Sequence, residues 1–328
     1  MRKENGSALV AVLCLVFAGG ILTAAVLSLS KIGTFTVGAH VARQRSMLVA
    51  EGAAARIQWL MAGDWKLFPS EKIGETDYES SEHDRYVADG VVHTMDYYGE
   101  KIQFRINDAV SGDDVVGNAA TSLNRLIARD DVEEDQKEMV ARVISKIQDY
   151  ADSDSDVKDD SLEALDYEEQ DMKPLPRNAA IQFREELTYI PEFTNLYPQD
   201  KYGRLSSVRL VAPSGCTLPS GKPSLYGADE RAIRNYCTGL DDNQITEVVE
   251  ALDVWRKERT LLSDTLDEHL LEQLKSAFST SDSGVYTVTL EAPEDEGRPF
   301  PRLTFTYKGF DVGGAPNELI EYFEWNFH

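Results

Sequence analysis

The feature that most constrains this chain is an apolar run near its N-terminus. The 24 residues from Ser7 to Ser30 (7–30) include no charged side chain. As a helix they would be about 36 Å long, enough to cross the hydrocarbon core of a bilayer with some tilt. Arg2 and Lys3 precede the run, and short basic segments of this kind stay in the cytoplasm. The sequence therefore predicts a single-pass membrane anchor with a cytoplasmic N-terminus and an exported body.

A cleaved secretory signal is the alternative for this segment, with Ala24 and Ala25 as a weak cleavage site. The run is longer than the apolar core of such signals, which has roughly 7–15 residues. Beyond it, residues 40–65 interleave apolar and charged side chains with the period of an amphipathic helix. We therefore expect residues 7–30 and 31–65 to form one long helix, with the membrane part first and an exported part after it.

The composition favours a folded, acidic body. With 57 acidic against 33 basic side chains, the net charge is −24. Such a surface repels phosphate backbones, so we expect no nucleic acid as a partner. Hydrophobic residues make up 42 % of the 328 residues, enough for a packed core. The sequence has no nucleophile elbow, phosphate-binding loop, HExxH or CxxC motif, so we expect no enzymatic activity.

Periodicity divides the body into three parts. Residues 66–115 contain alternating segments typical of strands, residues 116–284 are mainly helical, and residues 285–328 return to strands. This order predicts an α+β fold, in which a large helical domain is inserted between strands of an antiparallel sheet. The last strand, over residues 320–327, is expected at the sheet edge. Its three aromatic side chains are expected on one face: Phe323, Trp325 and Phe327.

Capping residues predict where two of the inserted helices begin. Asp241 or Asp242 is a suitable N-cap for a helix that contains Ile245. Ser263 and Asp264 are suitable caps for the helix that follows.

An acid-rich stretch offers candidate metal ligands. From Asp149 to Asp171 there are eleven acidic residues and a single base, Lys158. Five carboxylates within it have the spacing of positions 1, 3, 5, 9 and 12 of an EF-hand calcium loop: Asp152, Asp154, Asp156, Asp160 and Glu163. Val157 takes the sixth position, where the loop normally has glycine, so standard EF-hand geometry is not expected. The alternatives are a solvated acidic loop and a calcium site of different geometry.

The three cysteines allow one disulfide. Cys14 lies in the apolar run, where it is expected to act as a small hydrophobic residue. Cys216 and Cys237 lie in the exported part, and an oxidising compartment allows them to pair. Two unpaired thiols are the alternative, because a sequence does not show whether the two Cα atoms are within bonding distance.

The residues before and within the apolar run resemble a type IV prepilin signal. A short charged leader, residues 1–6, ends in Gly6 directly before Ser7 and the apolar run. Prepilin peptidase cuts such signals after the glycine, so the resemblance implies Ser7 as the new N-terminus and a retained helix. Ala11 occupies the fifth mature position, where type IV pilins typically have glutamate. In this it resembles one minor pseudopilin of type II secretion, general secretion pathway protein K (GspK).

Two further segments resemble the GspK family. Residues 147–156 resemble its I-x-D-W-x-D-x-D motif, with Tyr150 in place of tryptophan, and residues 176–180 precede the pair Glu186-Leu187. The resemblance extends over most of the chain and implies a pilin-like long N-terminal helix with a helical insert in the sheet. It also implies calcium bound to that insert. The candidate ligands are Asp149, Asp152, Asp154, Asp156, Asp160 and Glu163.

The function that this resemblance implies is assembly. A GspK-like protein would be a minor pseudopilin, a tip or initiation subunit of the periplasmic pseudopilus that drives protein export across the outer membrane. Its partners would be other minor pseudopilins, the pseudopilus, prepilin peptidase and the inner membrane. The alternatives are a minor pilin of a type IV pilus or competence system, and a singly anchored periplasmic binding module.

Overall fold

The longest element is the N-terminal helix α1, which runs unbroken from Asn5 to Leu67 in the computed structural model. The structure describes residues 5–68, 85–116, 121–154, 156–158, 161–173, 175–200, 203–211, 218, 222–292, 301–309 and 321–328. Every residue of α1 from Leu9 to Arg45 is exposed. This part of the helix therefore projects away from the body, and only the remainder packs against it.

The strands form one antiparallel sheet in the order of the chain. They are β1 (His93–Tyr97), β2 (Glu100–Asp108), β3 (Val285–Glu291), β4 (Leu303–Lys308) and β5 (Tyr322–Phe327). Strands β2 and β3 pair directly, with Phe104 opposite Leu290, although a long helical segment separates them in sequence. The sheet therefore contains the predicted helical insertion, and the α+β fold class is confirmed.

The segment between β2 and β3 is built from short helices. Its α-helices are α2 (Thr121–Ala128), α3 (Glu134–Ala151), α4 (Ala164–Glu169), α5 (Phe193–Leu196), α6 (Glu230–Tyr236), α7 (Asp242–Glu258), α8 (Leu262–Thr265) and α9 (Glu268–Ala277). Two 3-10 helices lie among them: Arg184–Tyr189 and Leu225–Gly227.

Helix α7 begins at the predicted cap. Asp241 Oδ1 accepts a hydrogen bond of 2.9 Å from the backbone N–H three residues later, as an N-cap does. The prediction that Ser263 and Asp264 cap the next long helix is wrong, because both lie within the single-turn helix α8. Helix α9 is capped instead by Asp267, whose Oδ1 accepts a hydrogen bond of 2.8 Å from the N–H three residues on.

The larger apolar core lies between α1 and one face of the sheet. The buried apolar residues of α1 are Ala50, Ala53, Ala54, Ile57 and Met61. Alternate residues of the strands face them, among them Ile102, Phe104, Val288 and Phe305. Helices α6 to α9 also join this core, and Trp255 of α7 is fully buried in it. Because the side chains of these three alanines are small, the sheet can pack closely against α1.

A second core lies within the insertion. It is formed mainly by α2, α3, α5 and the 3-10 helix Arg184–Tyr189, with buried side chains that include Leu123, Val143, Ile147, Phe193 and Tyr197. Since α6 to α9 belong to the larger core, residues 116–284 contribute to two cores rather than to one. The helices α6 to α9 of the insertion therefore share a core with the sheet, and its earlier part has a core of its own.

Strand β5 is at the sheet edge, but its aromatic side chains do not share one face. A β-bulge in the β4–β5 pairing shifts the register by one residue and so reverses the direction of the side chains beyond it. Trp325 lies 5.1 Å from the ring of Phe305, and Phe327 packs on the same core. Phe323 instead packs in a separate small cluster with Ala109, Val110, Leu210 and Val285. The prediction that the three aromatic side chains share one face is therefore wrong, because the bulge turns Phe323 away from the other two.

Candidate metal site and N-terminal helix

Three carboxylates of the acid-rich stretch converge beyond the end of α3. One oxygen atom from each of Asp149, Asp152 and Glu163 lies within 4.8 Å of the others. The side chain of Asp149 is fully buried, and Glu163 is 4 % exposed. Hard oxygen ligands at such a spacing suit a hard divalent cation, and calcium accepts the irregular geometry that loop carboxylates offer. We refer to these three residues as the carboxylate triad.

The local fold explains why these three residues meet. Asp149 lies in the last turn of α3, beside Tyr150, which is buried in the second core. Asp152 is the C-cap of the same helix. The chain then reverses, and Glu163 is the N-cap of α4, where its N–H donates a hydrogen bond of 2.8 Å to Asp166 Oδ2. One helix end and the next helix start therefore bring the triad together.

Negative charge accumulates at this point. The carbonyl groups at the C-terminus of a helix carry partial negative charge, and α3 has no base in its last turn. Burial raises the pKa of the Glu163 carboxyl, and the charges of Asp149 and Asp152 raise that pKa further. Burial also acts to raise the pKa of Asp149, but hydrogen bonds from Lys158 outweigh it and leave that pKa lowered. The triad therefore needs a cation to offset its charge.

Two triad oxygens are left without a hydrogen bond. Asp152 Oδ1 and Glu163 Oε1 are buried and have no partner among the residues that the structure describes. A buried acceptor without a partner costs about 1–3 kcal/mol, and more when it is charged. A divalent cation would bind both atoms, because it takes several oxygen ligands at once. The residues present therefore fit a calcium ion.

The other predicted ligands are not part of the triad. Asp154 and Asp156 are exposed, and Asp154 Oδ1 accepts a hydrogen bond of 3.0 Å from the backbone N–H of Asp156. Asp160 lies outside the described residues. Ligation by Asp154, Asp156 or Asp160 stays a prediction. Of the five residues with EF-hand spacing, the structure brings together the first and the last, Asp152 and Glu163.

The predicted disulfide stays a prediction. Cys237, at the C-cap of α6, is buried and has no disulfide partner among the described residues, and burial raises the pKa of its thiol to about 11. Cys216 lies outside the described residues. Cys14 is exposed on α1, within the apolar run.

Helix α1 is long and apolar enough to cross a membrane, by its length and composition. Large apolar side chains such as Leu13, Phe17 and Leu27 are exposed along it, so the part of the chain that the structure describes does not cover them. Gly6 and Ser7, the residues on either side of the predicted cleavage point, lie within the helix.

A long, half-projecting N-terminal helix packed on an antiparallel sheet defines a pilin-like fold, here with a helical insertion. The structure is similar to a chain of the GspK-GspI-GspJ complex from the Type 2 Secretion System of enterotoxigenic Escherichia coli. The TM-score is 0.51 and the sequence identity 14 %, over 87 % of this chain and 96 % of that chain. The fold is therefore GspK-like, and the resemblance inferred from sequence is confirmed at that level. No protein-family model and no curated protein matches the sequence.

The sequence did not predict the hydrogen bonds from Lys158 to the triad or the charged contacts between the insertion and the sheet. The signal for Lys158 was its position as the single base among eleven acids. Glu324 on β5 contacts Arg204 and Arg184, and these positions are too far apart in sequence for any local pattern to connect them.

Proposed function

We propose that this protein is a minor pseudopilin of a type II secretion system, a structural subunit at the tip or start of the periplasmic pseudopilus. The observation that carries the proposal is the similarity of the fold to a chain of the GspK-GspI-GspJ complex, over 87 % of this chain and 96 % of that chain. In this function α1 is the membrane anchor before assembly and the filament core after it. The protein acts by assembly with other minor pseudopilins, and it needs no catalytic site.

The exposed half of α1 supports this proposal over a singly anchored binding module. Its apolar side chains continue beyond the membrane-spanning run, with Phe35, Val37 and Val41 all largely exposed. An anchor needs only about 20 apolar residues to span a bilayer. Additional apolar helix outside the lipid is covered when it packs against the helices of other subunits.

Photo-cross-linking in cells tests the proposal. A photoreactive phenylalanine analogue at Val41 should give adducts with pilin-like subunits once the leader has been removed after Gly6. Mass spectrometry should then find Ser7 at the N-terminus. The matched control is Gly6→Val, which blocks cleavage and should abolish the adducts while the protein stays in the membrane. Adducts with type IV pilus subunits would favour the minor-pilin alternative, and adducts with lipid alone would favour the binding module.

We also propose that the carboxylate triad binds calcium and orders the insertion for assembly. The support is the convergence of three carboxylates within 4.8 Å and the two buried oxygens without partners. Calcium should raise the melting temperature of the full chain in detergent. Magnesium should raise it less, because it prefers a tighter octahedral shell and keeps its water. An equal response to both ions, or none, would contradict a calcium site.

A further inference from the structure

Lys158 contacts the triad with its side chain and its backbone. Its Nζ donates hydrogen bonds of 2.6 Å to Asp149 Oδ1 and 2.5 Å to Asp152 Oδ2. Its backbone N–H donates a bond of 2.8 Å to the second oxygen of Asp149. The ammonium group therefore lies against two of the three carboxylates that would bind a divalent ion.

The position of the triad explains why a cation is needed even without a metal ion. Asp149 is fully buried at the negative end of α3, and a buried carboxylate is stable only when it is paired. The loop after α3 returns Lys158 to this helix end. Lys158 thus supplies the compensating charge from nine residues downstream.

The neutralisation by Lys158 is incomplete. An ammonium group is one point charge with three donors, whereas calcium carries two charges and takes six to eight oxygens. Within the described chain Glu163 makes no hydrogen bond to Lys158, and its Oε1 is without a partner. The triad with Lys158 alone therefore retains two excess negative charges, whereas a divalent ion in place of the ammonium group would leave one.

We propose that Lys158 is a built-in counter-ion of the carboxylate triad, and that its ammonium group and a divalent cation compete for the same oxygens of Asp149 and Asp152. This inference rests on the proposed calcium site. Lysine side chains are flexible, and that of Lys158 is 40 % exposed, so its ammonium group can move into solvent when the ion enters. The backbone bond from Lys158 to Asp149 places the loop beside α3 independently of the ammonium group.

Two consequences follow for the loop. Without calcium, Lys158 prevents the carboxylates from separating by repulsion, so the loop keeps a binding geometry. With calcium, part of the binding free energy is used to displace the ammonium group, which lowers the affinity. The site should therefore be half occupied at a higher calcium concentration than the same carboxylates would be without the lysine.

Calorimetric titration of the full chain in detergent with calcium chloride tests the competition. We expect Lys158→Met to bind calcium about tenfold more tightly than the wild type, equivalent to about 1.4 kcal/mol. The same variant should melt at a lower temperature than the wild type when a chelator is present. Lys137→Met is the matched control, since Lys137 is in the same insertion but pairs with Glu134 at 3.7 Å. It changes the net charge equally and should leave calcium affinity unchanged.

A second readout uses the wild-type chain and so does not depend on whether the variant folds. Acetylation of amines by an activated ester, followed by peptide mass spectrometry, should modify Lys158 several-fold faster with calcium than with chelator. The rate at Lys137 should not change. Equal calcium affinities in Lys158→Met and the wild type, or an unchanged acetylation rate at Lys158, would overturn this inference while leaving the calcium site intact. Absence of calcium binding in both proteins would overturn the site and the inference together.

Discussion

Arg204 Nη2 donates a hydrogen bond of 2.6 Å to Glu324 Oε2, which joins the insertion to the last strand of the sheet across 120 positions of sequence. Both side chains are almost fully buried, at 8 % and 7 % exposed. Thr306 of β4 donates a further bond of 2.9 Å to the same oxygen, and Arg184 lies 3.9 Å away. The edge strand β5 is therefore held by buried charges as well as by its ladder to β4.

The first prediction concerns the pH dependence that Glu324 confers. Burial acts to raise the pKa of its carboxyl, but the charges of Arg184 and Arg204 outweigh burial and leave the pKa lowered. The stabilisation is therefore fully present above the unfolded value, about 4.5, and is lost as pH falls through the lower folded value. Glu324→Gln should cost about 3 kcal/mol at neutral pH, the lower end for a broken buried pair, because it removes the buried charge that both arginines share and leaves only Glu185 beside them, 3.1 Å from Arg184 and 4.0 Å from Arg204.

Urea unfolding at about pH 7 and at about pH 3.5 would measure this. The difference between Glu324→Gln and the wild type should shrink at the acid pH. Glu247→Gln, on the exposed face of α7, is the matched control and should unfold like the wild type at both pH values. A constant difference at the two pH values would show that the charge of Glu324 is not what stabilises β5.

The second prediction concerns Gly112, where two segments of backbone lie side by side, joined by a parallel bridge between Asp113 and Val208. A Cβ atom here would lie 2.6 Å from the backbone nitrogen of Arg209 and 2.8 Å from the carbonyl oxygen of Ser207. Backbone atoms cannot move aside as a flexible side chain can, so Gly112→Ala should destabilise the chain by about 1–3 kcal/mol. Gly63→Ala is the control, since a Cβ there meets nothing within 4 Å and Gly63 is in α1. It should be neutral or stabilise by up to about 1 kcal/mol. Similar melting temperatures for the two variants would contradict this close approach of the two backbone segments.

The third prediction concerns repulsion within the triad. Glu163→Gln removes one negative charge, so the chain should become more stable by about 1 kcal/mol when a chelator is present. The same change removes a proposed ligand and should weaken calcium binding. At a calcium concentration a hundred times the wild-type dissociation constant, calcium should stabilise the wild type by about 2.7 kcal/mol and the variant by less. Thermal unfolding with calcium and with chelator measures both effects. Glu168→Gln, exposed on α4, should change neither, and a loss of stability in Glu163→Gln with chelator would argue against repulsion.

The fourth prediction is the disulfide between Cys216 and Cys237. Protein isolated from the membrane, denatured without reductant, should react with one equivalent of a thiol reagent, at Cys14. Three equivalents would exclude the bridge. In protein that has been reduced and refolded, Cys237 should react slowly, because its thiol is buried and its pKa is raised to about 11.

Local patterns predicted those parts of the fold that local physics determines. The period of the apolar residues gives α1, and Asp241 marks the start of α7 because an N-cap acts within one turn. The face of Phe323 could not be predicted, because the bulge that turns it depends on pairing with β4. The EF-hand spacing led to Asp152 and Glu163, but Asp149 was suggested only by the family motif, since helix α3 rather than a loop presents it.

The projecting part of α1 has a mechanical consequence. From Leu9 to Arg45 it is a rod of about 55 Å, and it is joined to the body along the alanine-lined contact near Ala50 and Ala53. Force directed along the rod reaches the sheet as shear, parallel to the surface where the helix and the strands meet. Because the alanine side chains at this contact are small, they interdigitate little with the strands. The resistance of the contact to shear therefore depends on the length over which α1 packs on the sheet. A subunit built in this way transmits a push or a pull through its body without a hinge in the helix.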